Sequence, residues 1–130
     1  MSEIPEGLWY SAEHDWLRIE DDTGVMGITD YAQGELGDIV FLELPEVGDH
    51  IEQDQSYGTV EAVKTVADLY TPVSGEIIEV NTELTEDASQ VNIDPYGEGW
   101  MIKVRLSDSS EIEGLMNAED YEKMLDESEE

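Results

Sequence analysis

The chain has no cysteine, so it can form no disulfide and has no thiol of its own to use in chemistry. It is also nearly stripped of bases. Five lysines and arginines stand against 34 aspartates and glutamates, a formal net charge of −29. Without a basic footprint, nucleic acid is not an expected partner. No run of about 18 apolar residues occurs, so no membrane-spanning helix is expected. Met1 to Gly7 carries two acids and no base, which is not how a signal peptide begins. A soluble, cytoplasmic protein is therefore expected. Only two histidines occur, His14 and His50, far apart and without metal-ligand spacing. A zinc site is not expected, and His14 is read as supporting an opening strand or lining a cleft. No phosphate-binding glycine loop and no nucleophile–base constellation is present, so the chain does not read as an enzyme.

What remains is ample for a fold. The 130 residues suit one domain, with a core from about residue 9 to 125 and an acidic tail over 126–130 that is expected to fray. Hydrophobic residues make up 39%, enough for a core without staples. The charge admits three readings: a disordered acidic chain, a surface for a basic partner, or adaptation to molar salt. Apolar periodicity running nearly end to end disfavours disorder. Salt adaptation is preferred, because at about 1 M salt the Debye length falls to roughly 3 Å and like charges barely repel. An extremely halophilic source is expected.

Turn signals punctuate the chain at Asp22-Thr23-Gly24, Pro45 to Gly48, Thr71-Pro72, Ser74-Gly75 and Asp94 to Gly99. Between them, strand-like runs cover 15–20, 24–28, 38–44, 55–62, 65–70, 76–80 and 100–106. Thr29 caps a short helix reaching Gly34 or Leu36, Thr82 to Thr85 forms one turn, and Asn117 caps a final helix. Leu115, Tyr121, Met124 and Leu125 give that last region its apolar side. Trp9, Trp16 and Trp100 are assigned to the core. Val47-Gly48-Asp49-His50-Ile51 and Val73-Ser74-Gly75-Glu76-Ile77 echo one another on either side of the central segment. The expected fold is mainly β: a small sandwich or barrel of short strands, with short helices and a C-terminal helix.

Lysine is scarce enough for each to be weighed. Lys123 falls on the C-terminal helix, and Lys103 lies in a period-two strand pointing outward. Lys64 lies between two strand-forming runs, at the tip of a plausible hairpin, although no Gly or Asn marks the turn. A tip lysine can be a plain solubilising charge. It can also be acylated, which removes its charge and adds reach, and a bound cofactor can then supply chemistry that the protein lacks.

The segment Glu61-Ala62-Val63-Lys64-Thr65-Val66-Ala67-Asp68-Leu69-Tyr70-Thr71-Pro72-Val73-Ser74-Gly75-Glu76 resembles the lipoylation segment of glycine cleavage H proteins. Glu13-His14-Asp15-Trp16, Gly27 to Gln33, Leu36 to Pro45 and Asn92 to Lys103 resemble further motifs of that family, in the same order, and coverage runs from about Trp9 to Met124. The resemblance implies a barrel-sandwich hybrid of antiparallel sheets with lipoate carried covalently on Lys64. It implies that Glu61 belongs to the modifying enzyme's recognition context and that the turn at Gly75 helps present the hairpin. Asp68, Asp15 and Glu13 would shelter the loaded amine; Asp15 stands where the family usually has Glu. The implied role is a non-catalytic shuttle. It would carry an aminomethyl group from a pyridoxal-phosphate glycine decarboxylase to an aminomethyltransferase, and reducing equivalents to dihydrolipoamide dehydrogenase. A lipoate ligase or a lipoyl/octanoyl transferase would modify it, and a monomer is expected. Biotin carriers and lipoyl domains of 2-oxoacid dehydrogenases fit less well, because Val63-Lys64-Thr65 matches neither of their tips. A lipoyl-relay protein that donates lipoate to other carriers, and an acidic interaction module, are the alternatives.

Overall fold

The computed structural model describes residues 4–128, so expectations about Met1–Glu3 and Glu129–Glu130 lie outside the described residues. Nine strands follow in order: β1 Trp9–Tyr10, β2 Asp15–Glu20, β3 Thr23–Ile28, β4 Ile39–Glu43, β5 His50–Ile51, β6 Ser56–Ala62, β7 Val66–Tyr70, β8 Gly75–Val80 and β9 Ile102–Leu106. Helices α1 Asp30–Leu36, α2 Glu83–Glu86, α3 Gln90–Ile93 and α4 Ala118–Ser128 fill the gaps, with a 3-10 helix at Ser109–Gly114. The strands form two antiparallel sheets, one of six strands in the order β1-β2-β3-β9-β8-β5 and one of three in the order β4-β6-β7.

At β3 the larger sheet is buried on both faces, which explains why that strand reads as an unbroken run, whereas β8 and β9 alternate and leave Glu76, Glu79 and Arg105 exposed. Leu17, Met26, Ile77, Ile102 and Val104 join Leu42, Val60 and Leu69 of the small sheet in the main core. Trp16 and Val25, alternating with them, face a second cluster with Tyr10, Tyr121 and Leu125. Helix α4 therefore docks on the back of the sheet, with Tyr121 stacked flat on Tyr10 at 4.7 Å between ring centres.

The expected strands all form, within one or two residues of their assigned ends. Three local features differ. The turn between β2 and β3 is made at Asp21, with φ +58°, while Thr23 and Gly24 are already in the strand. The two-residue strands β1 and β5 and helix α3 are additional. Helix α4 continues through Ser128, so Asp126 and Glu127 are helical where a frayed tail was expected. Of the tryptophans, Trp16 is fully buried, whereas Trp9 and Trp100 are half-buried. The echoed segments pair with one another: His50 and Ile51 of β5 lie opposite Glu76 and Gly75 of β8.

Only four salt bridges form among the described residues, all partly exposed, against 34 acids in the chain. Most of the negative charge is thus screened by solvent ions alone. Raising KCl from about 0.1 M to about 2 M should raise the thermal unfolding midpoint by several degrees. A midpoint that stays flat or falls would show that charge repulsion does not limit this fold.

Candidate functional site

The hairpin of β6 and β7 carries Lys64. Ala62 donates its N–H to Thr65 O at 2.8 Å, closing the tip around Val63 and Lys64. Neither residue has positive φ, so the turn needs no Gly or Asn. Val63 donates its N–H to Asp38 O at 3.0 Å, which ties the tip to the segment before β4. That segment is itself fixed by Asn92. The Asn92 side chain accepts from the Ile39 N–H at 2.9 Å and donates to Gly37 O at 2.9 Å and to Gln33 Oε1 at 2.8 Å.

Gly37 ends α1 with φ +82°, a conformation that favours glycine. A Cβ there would lie 3.3 Å from Lys64 Cε, so the lysine stem runs directly past this bare backbone. Lys64 is exposed and alone in another respect. Arg18, Lys103, Arg105 and Lys123 each hold an acidic partner, whereas Lys64 has none among the described residues.

Between the hairpin and α1 lies a cavity of about 310 Å³. Ile28, Ala32, Leu36, Val60, Ala67 and Leu69 make its apolar lining. Glu13, Asp15, Asp68 and Glu35 supply carboxylates, and His14 and Tyr31 complete the wall. The three residues expected to meet a loaded amine, Glu13, Asp15 and Asp68, are thus brought to one cavity. Asp15 is 2% exposed, and its nearest donor is the Ser11 hydroxyl at 3.3 Å. Burial pushes its carboxyl well above the ordinary range; the Ser11 hydrogen bond opposes this, and the charges of Glu13 and Asp54 add to it. Among the described residues the frame thus holds an exposed amine with no acidic partner, an apolar slot beside it, and a buried carboxyl with no cation against it.

The other two expected residues lie outside the cavity. Glu61 is exposed on β6, between Phe41 and Val66 of the flanking strands. Gly75 opens β8 in the larger sheet, and its lack of a side chain serves packing. A Cβ would sit 2.2 Å from Arg105 O across the β8–β9 ladder. This packing need is separate from the presentation of the hairpin expected of it. The residues that sequence reasoning missed are Tyr31, Glu35, Gly37 and Asn92. Tyr31 and Glu35 were within reach, since an i,i+4 pair on the expected helix shares one face.

The sequence model of the glycine cleavage H-protein family matches residues 8–128. The chain belongs to the glycine cleavage H-protein family. It is 54% identical over 127 residues to the glycine cleavage system H protein of Carboxydothermus hydrogenoformans, covering 98% of each chain. To the protein of that name from Rubrobacter xylanophilus it is 54% identical over 129 residues, covering 99% of this chain and all of the other. The crystal structure of a glycine cleavage system H protein from Mycobacterium marinum superposes with a TM-score of 0.87 at 39% identity, covering 93% of this chain and 98% of that one. The mainly β H-protein fold is therefore shared.

Asp15 gives this H-family chain a pH signature. A carboxyl with a raised folded-state pKa stabilises the fold fully below its unfolded value, near about 4. That stability is lost as pH rises through the folded value. Asn cannot ionise, so Asp15→Asn should melt above the parent at pH 8, with the gain shrinking as pH falls toward about 4. Thermal unfolding across pH reads this directly, and a gain that does not change with pH would contradict it.

Proposed function

We propose that this chain is the lipoyl shuttle of a glycine cleavage system, with lipoate joined as an amide to Lys64. The observation that carries the reading is that Lys64 is the one base without an acidic partner among the described residues, exposed beside an apolar cavity. Lipoate on Lys64 would supply a dithiolane able to accept an aminomethyl group and two electrons. The chain contributes everything else. The hairpin tip projects the amine where a lipoate ligase or a lipoyl/octanoyl transferase can reach it, with Glu61 three residues before it on the exposed face. The apolar lining excludes water from whatever lies in the cavity. Asp15, whose charged form burial disfavours, would ionise against an entering cationic amine and attract it more strongly than a solvated acid does. Glu13 and Asp68 add negative potential to the same cavity. Tethering raises the effective concentration at each partner enzyme.

The partners under this reading are a glycine decarboxylase, an aminomethyltransferase and dihydrolipoamide dehydrogenase, and the chain itself catalyses no step. We take the whole chain as one carrier domain working as a monomer. No helix among the described residues is long and apolar enough to cross a membrane. A cytoplasmic setting is the one we propose for this carrier. The net charge of −29 supports a salt-rich cytosol as its medium.

Lys64→Ala should fold normally, because an exposed tip side chain contributes little to packing. It should abolish exchange of the glycine carboxyl carbon in a reconstituted system, while Lys103→Ala keeps it. Normal exchange by Lys64→Ala would end the proposal.

A further inference from the structure

His14 is held in a backbone conformation uncommon for a residue with a side chain, although His takes it more readily than most. Its φ is +68°, in the left-handed region that suits Gly and Asn. Backbone contacts lock it there: His14 donates its N–H to Ser11 O, and Thr29 donates its N–H to His14 O, each at 3.0 Å. The ring packs on Tyr31 at 4.8 Å and forms part of the cavity wall. Its Nδ1 lies 2.8 Å from the Tyr121 hydroxyl, which lies 2.8 Å from Thr29 Oγ1. Thr29 Oγ1 also accepts from the Ala32 N–H at 3.2 Å, as the cap of α1.

Proton accounting gives this chain of groups a direction. Thr29 and Tyr121 are fully buried, so an unused hydroxyl hydrogen there would be costly. If His14 Nδ1–H donated to Tyr121, Tyr121 would donate to Thr29. The Thr29 hydrogen would then have no acceptor among the described residues. Run the other way, every group is used: Thr29 donates to Tyr121, and Tyr121 donates to Nδ1. The neutral ring must then carry its proton on Nε2. Burial, which lowers the His14 pKa against the opposing pull of Glu13 and Glu35, keeps the ring neutral near pH 7. Nε2 has no hydrogen-bond partner among the described residues.

The cavity's charged groups are otherwise all carboxylates: Glu13, Asp15, Glu35 and Asp68. They suit a cation but repel a sulfur lone pair. His14 stands at the end of the cavity away from the attachment point. Six residues of helix, roughly 9 Å, separate Tyr31 from Gly37, which the Lys64 stem passes. An arm rooted at Lys64 and laid in the cavity would bring its sulfur end there.

We infer that His14 is a binding residue for the sulfur end of the lipoyl arm, donating Nε2–H to sulfur, with Tyr121 and Thr29 as positioning residues that fix the ring's tautomer. This rests on the carrier reading above for the arm, but not for the tautomer. Helix α4 thereby reaches the cavity from the far side of the larger sheet through a single hydroxyl.

Two measurements test it. In unmodified protein with ¹⁵N-labelled histidine, NMR should find His14 protonated at Nε2 and bare at Nδ1. Tyr121→Phe, which keeps the stack on Tyr10, should shift the ring toward a mixture of tautomers. An Nδ1-protonated ring in the parent would overturn the inference whether or not Lys64 is lipoylated. In lipoylated, reduced protein, His14→Asn should let iodoacetamide alkylate the arm's thiols roughly tenfold faster, the worth of one good hydrogen bond. Asn accepts the left-handed backbone, so the turn is kept. His50→Asn, on exposed β5, should leave the rate unchanged. Equal alkylation rates in His14→Asn and the parent would overturn the sulfur contact. Failure of Lys64 to accept lipoate would instead sink the carrier reading.

Discussion

One amide organises the presentation of Lys64. Asn92, on a four-residue helix, joins the last turn of α1 to the first residue of β4 through three hydrogen bonds. The backbone it pins, Gly37 to Ile39, is the surface that the hairpin tip rests on through the Val63–Asp38 bond. Satisfied, half-buried amides of this kind favour a single arrangement, because an alternative leaves donors unpaired. Rigidity at the base of a swinging group is what a carrier needs: the arm moves, and its root stays where partners expect it.

Charge is used in two opposite ways. Over most of the surface, acids are solvated and interchangeable. Around the cavity they converge, and one of them, Asp15, is taken out of water with only a serine hydroxyl for company. A buried carboxylate without a cation is a poor choice for stability and a good one for meeting an ammonium group. The same economy applies to bases. Four of the five are paired with acids, and the fifth, at the hairpin tip, has no acidic partner among the described residues.

Much of this was legible before any coordinates. Strand-forming runs between turn signals marked the long strands, and Thr29 and Asn117 announced their helices; both caps form, at 3.2 Å to the Ala32 N–H and 2.8 Å to the Asp120 N–H. Lys64 stood out by scarcity and by resemblance. What stayed hidden has physical reasons. Two residues cannot display a period, so β1 and β5 left no signal. Asp21 takes the left-handed turn position for which glycine is the usual residue, while Gly24 lies in the strand, where a Cβ would meet Leu17 Cδ1 at 2.7 Å. The role of Gly75 belongs to a strand some 30 residues downstream, and the Tyr121–His14 contact joins opposite ends of the chain. Long-range pairings of that kind are written in three dimensions only.

The claim on which the account turns is that Lys64 is the attachment point. The most direct measurement is the intact and peptide-level mass of the protein after expression with lipoate and a lipoylating enzyme. One lipoyl amide, on the peptide that holds Lys64, is the predicted result. An unmodified Lys64 at both low and molar KCl, with a control carrier modified by the same enzyme, would contradict it.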